Sequence, residues 1–557
     1  MQKYIFISGG IISGLGKGIT SASIALLLQS SGYKVVTVKC ENYLNVDAGT
    51  INPIEHGDPF LCEDGLEADM DIGTYEKFLG QDMGKPNFMT MGSIYQKVIE
   101  KERRFEYEGE DVQEVVHITG EIIDRINRAL KVTKSDIAVI ELGGTAGEYQ
   151  NILYYEASRM LSFKNPGQVI HVHVSYVPTP KHLGEPKTKP VQLSVRTVNS
   201  MGIQPDMLVV RSEEPIDKRR KERLALFCSV HAQDVFSSYD VPSVYEVPLI
   251  LEAQGISIQV CEKLGLKYKK PKLDAWKKMV VNVKTPKKNN VKIAIVGKYF
   301  KTGDYKLKDS YAALFDAIDH ASLSNNVESQ IEWVSAEDVE KMGIDKIKEL
   351  KEVDGIIVPI GWGERGIEGM IEAASYARRE KIPYLGLCYG MQIAVIAYAR
   401  EMLGWKDAHT EEVNSKTKHP VIHLMSSQKY AMERRSYGGT MRLGAWEAIV
   451  KKGTLAWDSY SRHNGFINKK TGLTSERHRH RYEFNDEYAK DFERAGLVIS
   501  ARSKVEHLAE IIELPKSVHP FYLGTQGHPE YKSRPLSPHP LFLDFIKSCI
   551  KQSIMVK

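Results

Sequence analysis

The residues that most limit what this chain can become are Ser8 to Ser23, SGGIISGLGKGITSAS. They lie between an apolar run, Tyr4 to Ile7, and an apolar helical pattern, Ile24 to Leu28. That order predicts strand, glycine-rich loop and helix, the opening of a parallel α/β sheet, with backbone N–H groups aimed at an anion. Lys17 adds a mobile cation suited to a β- or γ-phosphate. The spacing departs from the usual GxxxxGK followed by Ser or Thr. Gly10 lies one residue too far from Gly16, and Gly18 stands where a Mg²⁺-binding hydroxyl is common. A metal serving these phosphates must therefore draw on carboxylates elsewhere.

A chain of 557 residues exceeds what one hydrophobic core organises, so at least two domains are expected. Its 75 basic and 71 acidic residues nearly cancel, which excludes a general polyelectrolyte role on nucleic acid. No stretch of 18 apolar residues occurs, and the N-terminus runs straight into the glycine loop. This predicts a cytoplasmic protein without membrane partners. Six cysteines scattered without CxxC spacing fit reduced thiols better than a disulfide frame or zinc site. The lysine-rich stretch 266–290 reads as a linker between domains at 1–265 and 291–557.

Along the first domain, Tyr33 to Lys39 reads as a second buried strand, and Glu41 to Gly73 as loop near the phosphates. Within it Asp69 and Asp71 sit before Gly73, and Glu141 ends the apolar strand Ile137 to Ile140 before the turn Gly143-Gly144-Thr145. Strand ends form the ligand crevice of an open parallel sheet, and Mg²⁺ needs only one or two carboxylates beside phosphate oxygens. Asp71 and Glu141 are therefore the expected metal ligands. Further strands, Val169 to Val174 and Met207 to Val210, alternate with helical patterns such as Arg219 to Cys228. Between them GEPKTKPVQ, Gly184 to Gln192, suits a second polyphosphate or a solvated charged turn.

From Val291 the α/β pattern restarts: strand IAIV, helix Ser310 to Ala321, strand Ile331 to Val334, strand Gly355 to Pro359. Strand Pro383 to Leu387 then enters GLCYGMQ, and a helical pattern, Ile393 to Ala399, follows. Cys388 between Gly386 and Gly390 has the form of a nucleophile elbow, with a helix N-terminus to supply N–H donors. Near the C-terminus His528-Pro529-Glu530 places a base and a carboxylate two residues apart, on one side of an extended chain. Together they suggest a Cys-His-Glu triad for acyl transfer. The basic run Arg477 to Arg481, RHRHR, is read as surface charge or part of an anion site.

These motifs resemble the CTP synthase family, an amidoligase domain fused to a class I glutamine amidotransferase domain. SGLGKG at 13–18, NVDAGT at 45–50, EADMDIG at 67–73, ELGGTAGE at 141–148, KTKP at 187–190, ALFC at 225–228, GTMRLGA at 439–445, RHRHRYE at 477–483 and HPE at 528–530 keep the family's order. The resemblance implies two doubly wound, mainly parallel α/β domains, the first P-loop-like. It implies that ATP phosphorylates the 4-oxygen of UTP and that ammonia displaces the phosphate. Lys17, Lys39 and Mg²⁺ would neutralise the transferred charge. Gly14, Leu15, Gly16, Lys17, Gly18 and Ile19 would hold ATP with Asp71, Arg211, Tyr239, Asp240 and Val241, while Asp71 and Glu141 hold Mg²⁺. Ser13, Lys187, Thr188, Lys189, Pro190, Val191, Gln192 and Arg223 would hold UTP, and Glu148, Tyr149 and Gln150 product CTP.

By the same resemblance Cys388, His528 and Glu530 would hydrolyse glutamine, with Gly361, Tyr389, Gly390, Met391, Gln392, Glu412 and Arg479 binding it. GTP would activate through Arg442, ammonia would travel an internal tunnel, and the chain would form a homotetramer and filaments. Several residues depart from the family's usual ones. The oxyanion loop, usually PGGFG, is Pro359-Ile360-Gly361-Trp362-Gly363, and an Ile360 forced to positive φ would be strained. One lost oxyanion donor costs about 2.7 to 4 kcal/mol. Tyr389 replaces a leucine, Gly527 a phenylalanine, Gln150 a glutamate and Glu41 an aspartate. Two other readings stand beside the first: an ammonia-dependent enzyme with impaired glutaminase, and a non-catalytic filament-forming protein. The retained Lys17 and Cys388 argue against the last.

Overall fold

Strand Lys3–Gly9 is buried along its whole length and pairs on both sides, which is why it reads as a nearly continuous apolar run. The computed structural model describes residues 2–10, 12–52, 57–298, 301–302, 305–306, 311–343, 352–434 and 437–556. The chain forms two compact units, Met1–Ala48 with Asp71–Lys284, and Gly49–Met70 with Thr285–Lys557.

The first unit carries a seven-stranded sheet in the order Phe88–Thr90, Val35–Glu41, Ile137–Leu142, Lys3–Gly9, Val169–Tyr176, Met207–Ser212, Val235–Tyr239. Every pairing is parallel. Tyr4, Phe6, Val36 and Val38 pack with helices Thr119–Thr133 and Ile152–Lys164, while Ile5 and Ile7, on the other face, are equally buried. Both faces are therefore covered. From Lys3–Gly9 the chain crosses to Val35–Glu41 on one side, and from Ile137–Leu142 to Val169–Tyr176 on the other. The direction reverses between two neighbouring strands, so the loops after Gly9 and Leu142 flank the crevice where such sheets bind ligands.

The second unit holds a nine-stranded sheet. Five strands are parallel, in the order Glu328–Ser335, Asn290–Gly297, Gly355–Val358, Tyr384–Leu387, Tyr522–Thr525. Four antiparallel strands continue it, Ala509–Glu513, Val498–Ser503, Arg442–Val450 and Leu473–His480. The reversal lies between Asn290–Gly297 and Gly355–Val358, which sets Lys298 and the loop from Pro359 to Gly363 at its crevice. Two apolar clusters line the two faces. Among the described residues no helix is long and apolar enough to cross a membrane.

The doubly wound α/β architecture is present in both units, and the boundaries differ from expectation in two places. The stretch 266–290 is not all linker, because helix Asp274–Lys284 belongs to the first unit. Its Trp276, Met279 and Val280 are buried at helical spacing among the lysines, and Trp276 Nε1 donates to Tyr245 O at 2.8 Å. Nor is Glu41 to Gly73 one phosphate-side loop. Gly49–Met70 joins the second unit, with a short hairpin pairing Phe60–Leu61 with Glu67–Ala68, and helix Met70–Leu79 begins beyond it. Ser310, the expected start of a helix, lies outside the described residues, and the helix runs Ala312–Ser324.

Candidate active sites

In the first unit Gly16, at φ 84, immediately precedes helix Lys17–Ser30, and Gly14 has φ 73. These left-handed positions let the loop turn its N–H groups toward the crevice. The early placement of Gly10 has a cause beneath the loop. A Cβ there would lie 2.7 Å from Ser194 Cβ and 2.8 Å from His173 Nε2. His173, buried and held near pKa 3 by burial and by Lys17, bridges Ser8 Oγ at 2.9 Å and Ser194 Oγ at 2.6 Å. Lys17 folds across Gly9 and donates to Gly144 O. Burial lowers its ammonium pKa.

Lys39 brings the acidic groups to one point. Its ammonium pairs with Asp71, with Glu141 at 2.8 Å and with Glu41 at 3.3 Å, while Tyr75 donates to the other oxygen of Glu141. Burial pushes the Glu141 carboxyl up, and neighbouring Asp71 adds to this against the pull of Lys39. Burial acts the same way on Asp71, but Lys39 and Lys17 outweigh it and hold that carboxyl below its usual range. No group of three or more His, Cys, Asp or Glu forms a metal cage among the described residues. Two carboxylates converging on one cation are nonetheless what Mg²⁺ takes when phosphates supply the rest.

Arg211 lies beside Gly16 and reaches Tyr239 O at 3.0 Å and Asp240 at 2.6 Å, so these four of the residues matched to ATP lie together. The nucleotide residues matched to UTP and CTP are less gathered. Lys187 pairs with Glu185 at 2.8 Å, Gln192 donates to Thr188, and Arg223 is exposed over the Phe227 ring. Glu148 braces its own turn, accepting from Thr145 N at 2.8 Å, Thr145 Oγ1 at 2.6 Å and Asn42 at 3.1 Å. Tyr149 is 88% exposed. Among the described residues no hydrogen bond or ion pair joins Lys187, Arg223 and Glu148 to one another.

In the second unit Cys388 has φ 50 and ψ −97 between strand Tyr384–Leu387 and helix Tyr389–Met402. This is the strained elbow that the flanking glycines permit. A Cβ on Gly386 would lie 2.6 Å from Gly390 C, and one on Gly390 2.9 Å from Val358 C. Cys388 N donates to Thr525 O at 2.7 Å, which ties the elbow to the strand leading to His528. His528 Nδ1 lies 2.7 Å from Glu530 Oε1, and its Nε2 is buried with no hydrogen-bond partner among the described residues. Burial opposes charge on this ring, but Glu530 and Cys388 outweigh it and raise its pKa to about 10. Gln526 Nε2 stands 3.4 Å from Cys388 Sγ.

The oxyanion loop differs from expectation. Ile360 is not among the residues with positive φ and is 3% exposed in the core with Tyr311 and Leu314. The backbone there needs no glycine, so the anticipated strain is absent. Glu412 accepts from Gly363 N at 2.9 Å. Gly527 leaves room for Glu476, whose Cβ would lie 2.7 Å from a Cβ at that glycine. Gly361 and Tyr389 lie together beside Cys388, whereas Met391 is core and Gln392 donates to Tyr482 O and Gln526.

Two expected ligand-binding arginines are otherwise engaged. Arg479 Nε pairs with Glu67 at 2.6 Å, Nη1 with Asp58 at 3.4 Å, and Nη2 donates to Gly49 O at 3.3 Å. What faces the nucleophile is its carbonyl, 3.9 Å from Cys388 Sγ. Arg442 is 4% exposed and pairs with Glu510 at 2.7 Å, so its guanidinium is not presented to a nucleotide. The whole run Arg477 to Arg481 is buried and is not surface charge, Arg477 pairing with Glu63 at 3.0 Å. Sequence reasoning missed Lys298, Gln526 and the acidic residues of 49–70. Rich in acids, Gly and Pro, that segment reads in sequence as loop near the phosphates.

The family described as "CTP synthase N-terminus" matches residues 3–266, and "Glutamine amidotransferase class-I" matches 306–548. The chain is 47% identical to the CTP synthase of Sulfolobus acidocaldarius over 98% of this chain and 99% of that one. It is 46% identical to the CTP synthase of Pyrococcus abyssi over 98% of each. Among solved structures, the glutaminase domain of Trypanosoma brucei CTPS with bound acivicin is 36% identical at a TM-score of 0.42, covering 47% of this chain and 94% of that one.

Proposed function

The chain belongs to the CTP synthase family, and from that premise we propose how its residues divide the work. The protein is a glutamine-hydrolysing ligase that makes CTP from UTP with ATP as a substrate. In the first unit, the loop from Gly14 to Ile19 with Arg211 and Tyr239 to Val241 binds ATP, and Lys17 and Lys39 neutralise the phosphoryl group as it moves to the UTP 4-oxygen. A carbonyl oxygen leaves poorly until it carries phosphate, and ammonia then displaces it. Asp71 and Glu141 hold Mg²⁺, which supplies further neutralisation of phosphate charge when bound. Ser13, Lys187 to Gln192 and Arg223 take UTP, and 148–150 serve product CTP.

In the second unit Cys388 attacks the glutamine side-chain amide. His528, oriented by Glu530, takes the thiol proton and returns it to departing ammonia. Once it has taken the thiol proton, the ring carries the proton the leaving group needs, and water then opens the Cys388 thioester to release glutamate. The carrying observation is the buried, unpartnered Nε2 of His528, aligned by Glu530 at 2.7 Å. Free ammonia is mostly ammonium at neutral pH and not nucleophilic, which favours delivery inside the protein. GTP activation, a cytoplasmic tetramer and filaments belong to the same reading, with the Arg442 guanidinium paired to Glu510 in the core. The test is CTP formation from ATP, UTP, Mg²⁺ and GTP with glutamine or ammonium chloride, alongside Cys388→Ala. The variant should lose the glutamine reaction and keep the ammonium one; loss of both, or of neither, overturns the assignment.

A further inference from the structure

The loop after strand Gly355–Val358 has three carbonyls held by side chains. Ile360 O accepts from the Tyr311 hydroxyl at 3.3 Å. Trp362 O and Gly363 O accept from Lys298 Nζ at 3.1 and 2.6 Å, and Gly363 O also from the Tyr389 hydroxyl at 3.1 Å. Lys298 is 6% exposed, and its ammonium lies 4.5 Å over the Tyr389 ring. A Cβ on Gly361 would lie 3.2 Å from Tyr389 Cδ1, so the same ring is the wall behind that glycine.

A trans peptide points its carbonyl and the following N–H in opposite directions. With Ile360 O turned to Tyr311, the Gly361 N–H faces away from Tyr311 and meets no acceptor among the described residues. The Gly363 N–H is spent on Glu412. Gly361 therefore carries a loop N–H open to an incoming oxygen. Its direction depends on the clamp at both ends of the loop, Tyr311 upstream, and Lys298 with Tyr389 downstream. The leucine usual at 389 has no hydroxyl and no ring face for Lys298. The two departures, Ile360 and Tyr389, thus form one arrangement, a loop fixed by packing at one end and by a tyrosine at the other.

We propose that Tyr389, together with Lys298, is a positioning residue for glutamine hydrolysis, clamping the Trp362 and Gly363 carbonyls so that the Gly361 N–H meets the oxyanion forming on the glutamine amide. This rests on reading Cys388 as the glutaminase nucleophile. Full-length Tyr389→Phe and Tyr389→Leu are compared with wild type for kcat and KM with glutamine. The ammonium chloride reaction of each preparation measures the folded enzyme present. Alkylation of Cys388 by iodoacetamide, which forms no oxyanion, reads thiol reactivity alone. Tyr389→Phe is expected to lower the glutamine kcat about tenfold with KM and alkylation rate unchanged, and Tyr389→Leu to lower it further. Lys298→Arg should retain more activity than Lys298→Met. A wild-type kcat in Tyr389→Phe, or a matching fall in alkylation, overturns the proposal. Glutamine-dependent activity persisting in Cys388→Ala would instead overturn the reading beneath it.

Discussion

Asp71 fills the space in front of Gly18: a Cβ on that glycine would lie 2.9 Å from the Asp71 carboxyl carbon. The hydroxyl residue usual at this point of a phosphate loop is thus replaced by a carboxylate arriving from helix Met70–Leu79, and the glycine is the condition for it. The proposed metal ligand thus comes from a neighbouring element instead of the loop.

Restoring the common residue should therefore harm the enzyme. Gly18→Ser forces Asp71 aside, and displacement of a catalytic group by about 1 Å can cost on the order of 10²-fold in rate. CTP formation is expected to fall by that order with either nitrogen source. Glutamate release from glutamine, measured separately, should be much less affected.

Lys39 is the cation on which Asp71 and Glu141 converge. Lys39→Met leaves the buried Glu141 carboxylate facing the part-exposed Asp71, and removing the partner of a buried charge typically costs about 3 to 5 kcal/mol. The variant should lose CTP formation and melt earlier. Adding Mg²⁺ should raise its Tm more than that of wild type. An equal Mg²⁺ response in both would count against these carboxylates as the metal ligands.

Much of the first site was legible because its determinants are local. Gly14 to Ile19 and the strand-end Glu141 are fixed by strand, turn and helix signals within a few residues, and so is the Cys388 elbow. The second sheet's antiparallel half was not, because Arg477 to Arg481 reads as surface charge or part of an anion site, not as a buried strand. What pairs with it comes from elsewhere in the chain, Glu63 and Glu67 in the hairpin segment and Glu510 on strand Ala509–Glu513 of the same sheet. Ion pairs between residues distant in sequence leave no periodic signal. Ile360 looked strained for a related reason: its φ is set by Tyr311 and the core around it, not by its neighbours in sequence.

His528 makes stability depend on pH in a defined direction. Its folded pKa of about 10 stands above the ordinary value of about 6.5, so its contribution is full below about pH 6.5 and lost as pH rises through about 10. Glu530→Gln removes the carboxylate that raises it. The Tm gap between wild type and Glu530→Gln should be widest near pH 6.5 and narrow steadily toward pH 10. A gap that widens with pH would contradict the Glu530 pairing as its source.

Arg479 offers a test between two roles. If its guanidinium chiefly bound glutamine, Arg479→Met would raise KM and leave the fold unchanged. In the structure that guanidinium is taken by Glu67 at 2.6 Å, Asp58 at 3.4 Å and Gly49 O at 3.3 Å. Burial already raises the Asp58 carboxyl, against the pull of Arg479. Truncating the arginine removes the cation both acids pair with, and breaking a buried ion pair typically costs about 3 to 5 kcal/mol. The expected result is a clear fall in Tm without any ligand, larger than the change in glutamine KM explains. The double variant Arg479→Met with Glu67→Gln should recover part of that stability, because one buried charge goes with its partner. An unchanged Tm in Arg479→Met would show that the hairpin does not depend on this arginine, and would return its side chain to the glutamine site.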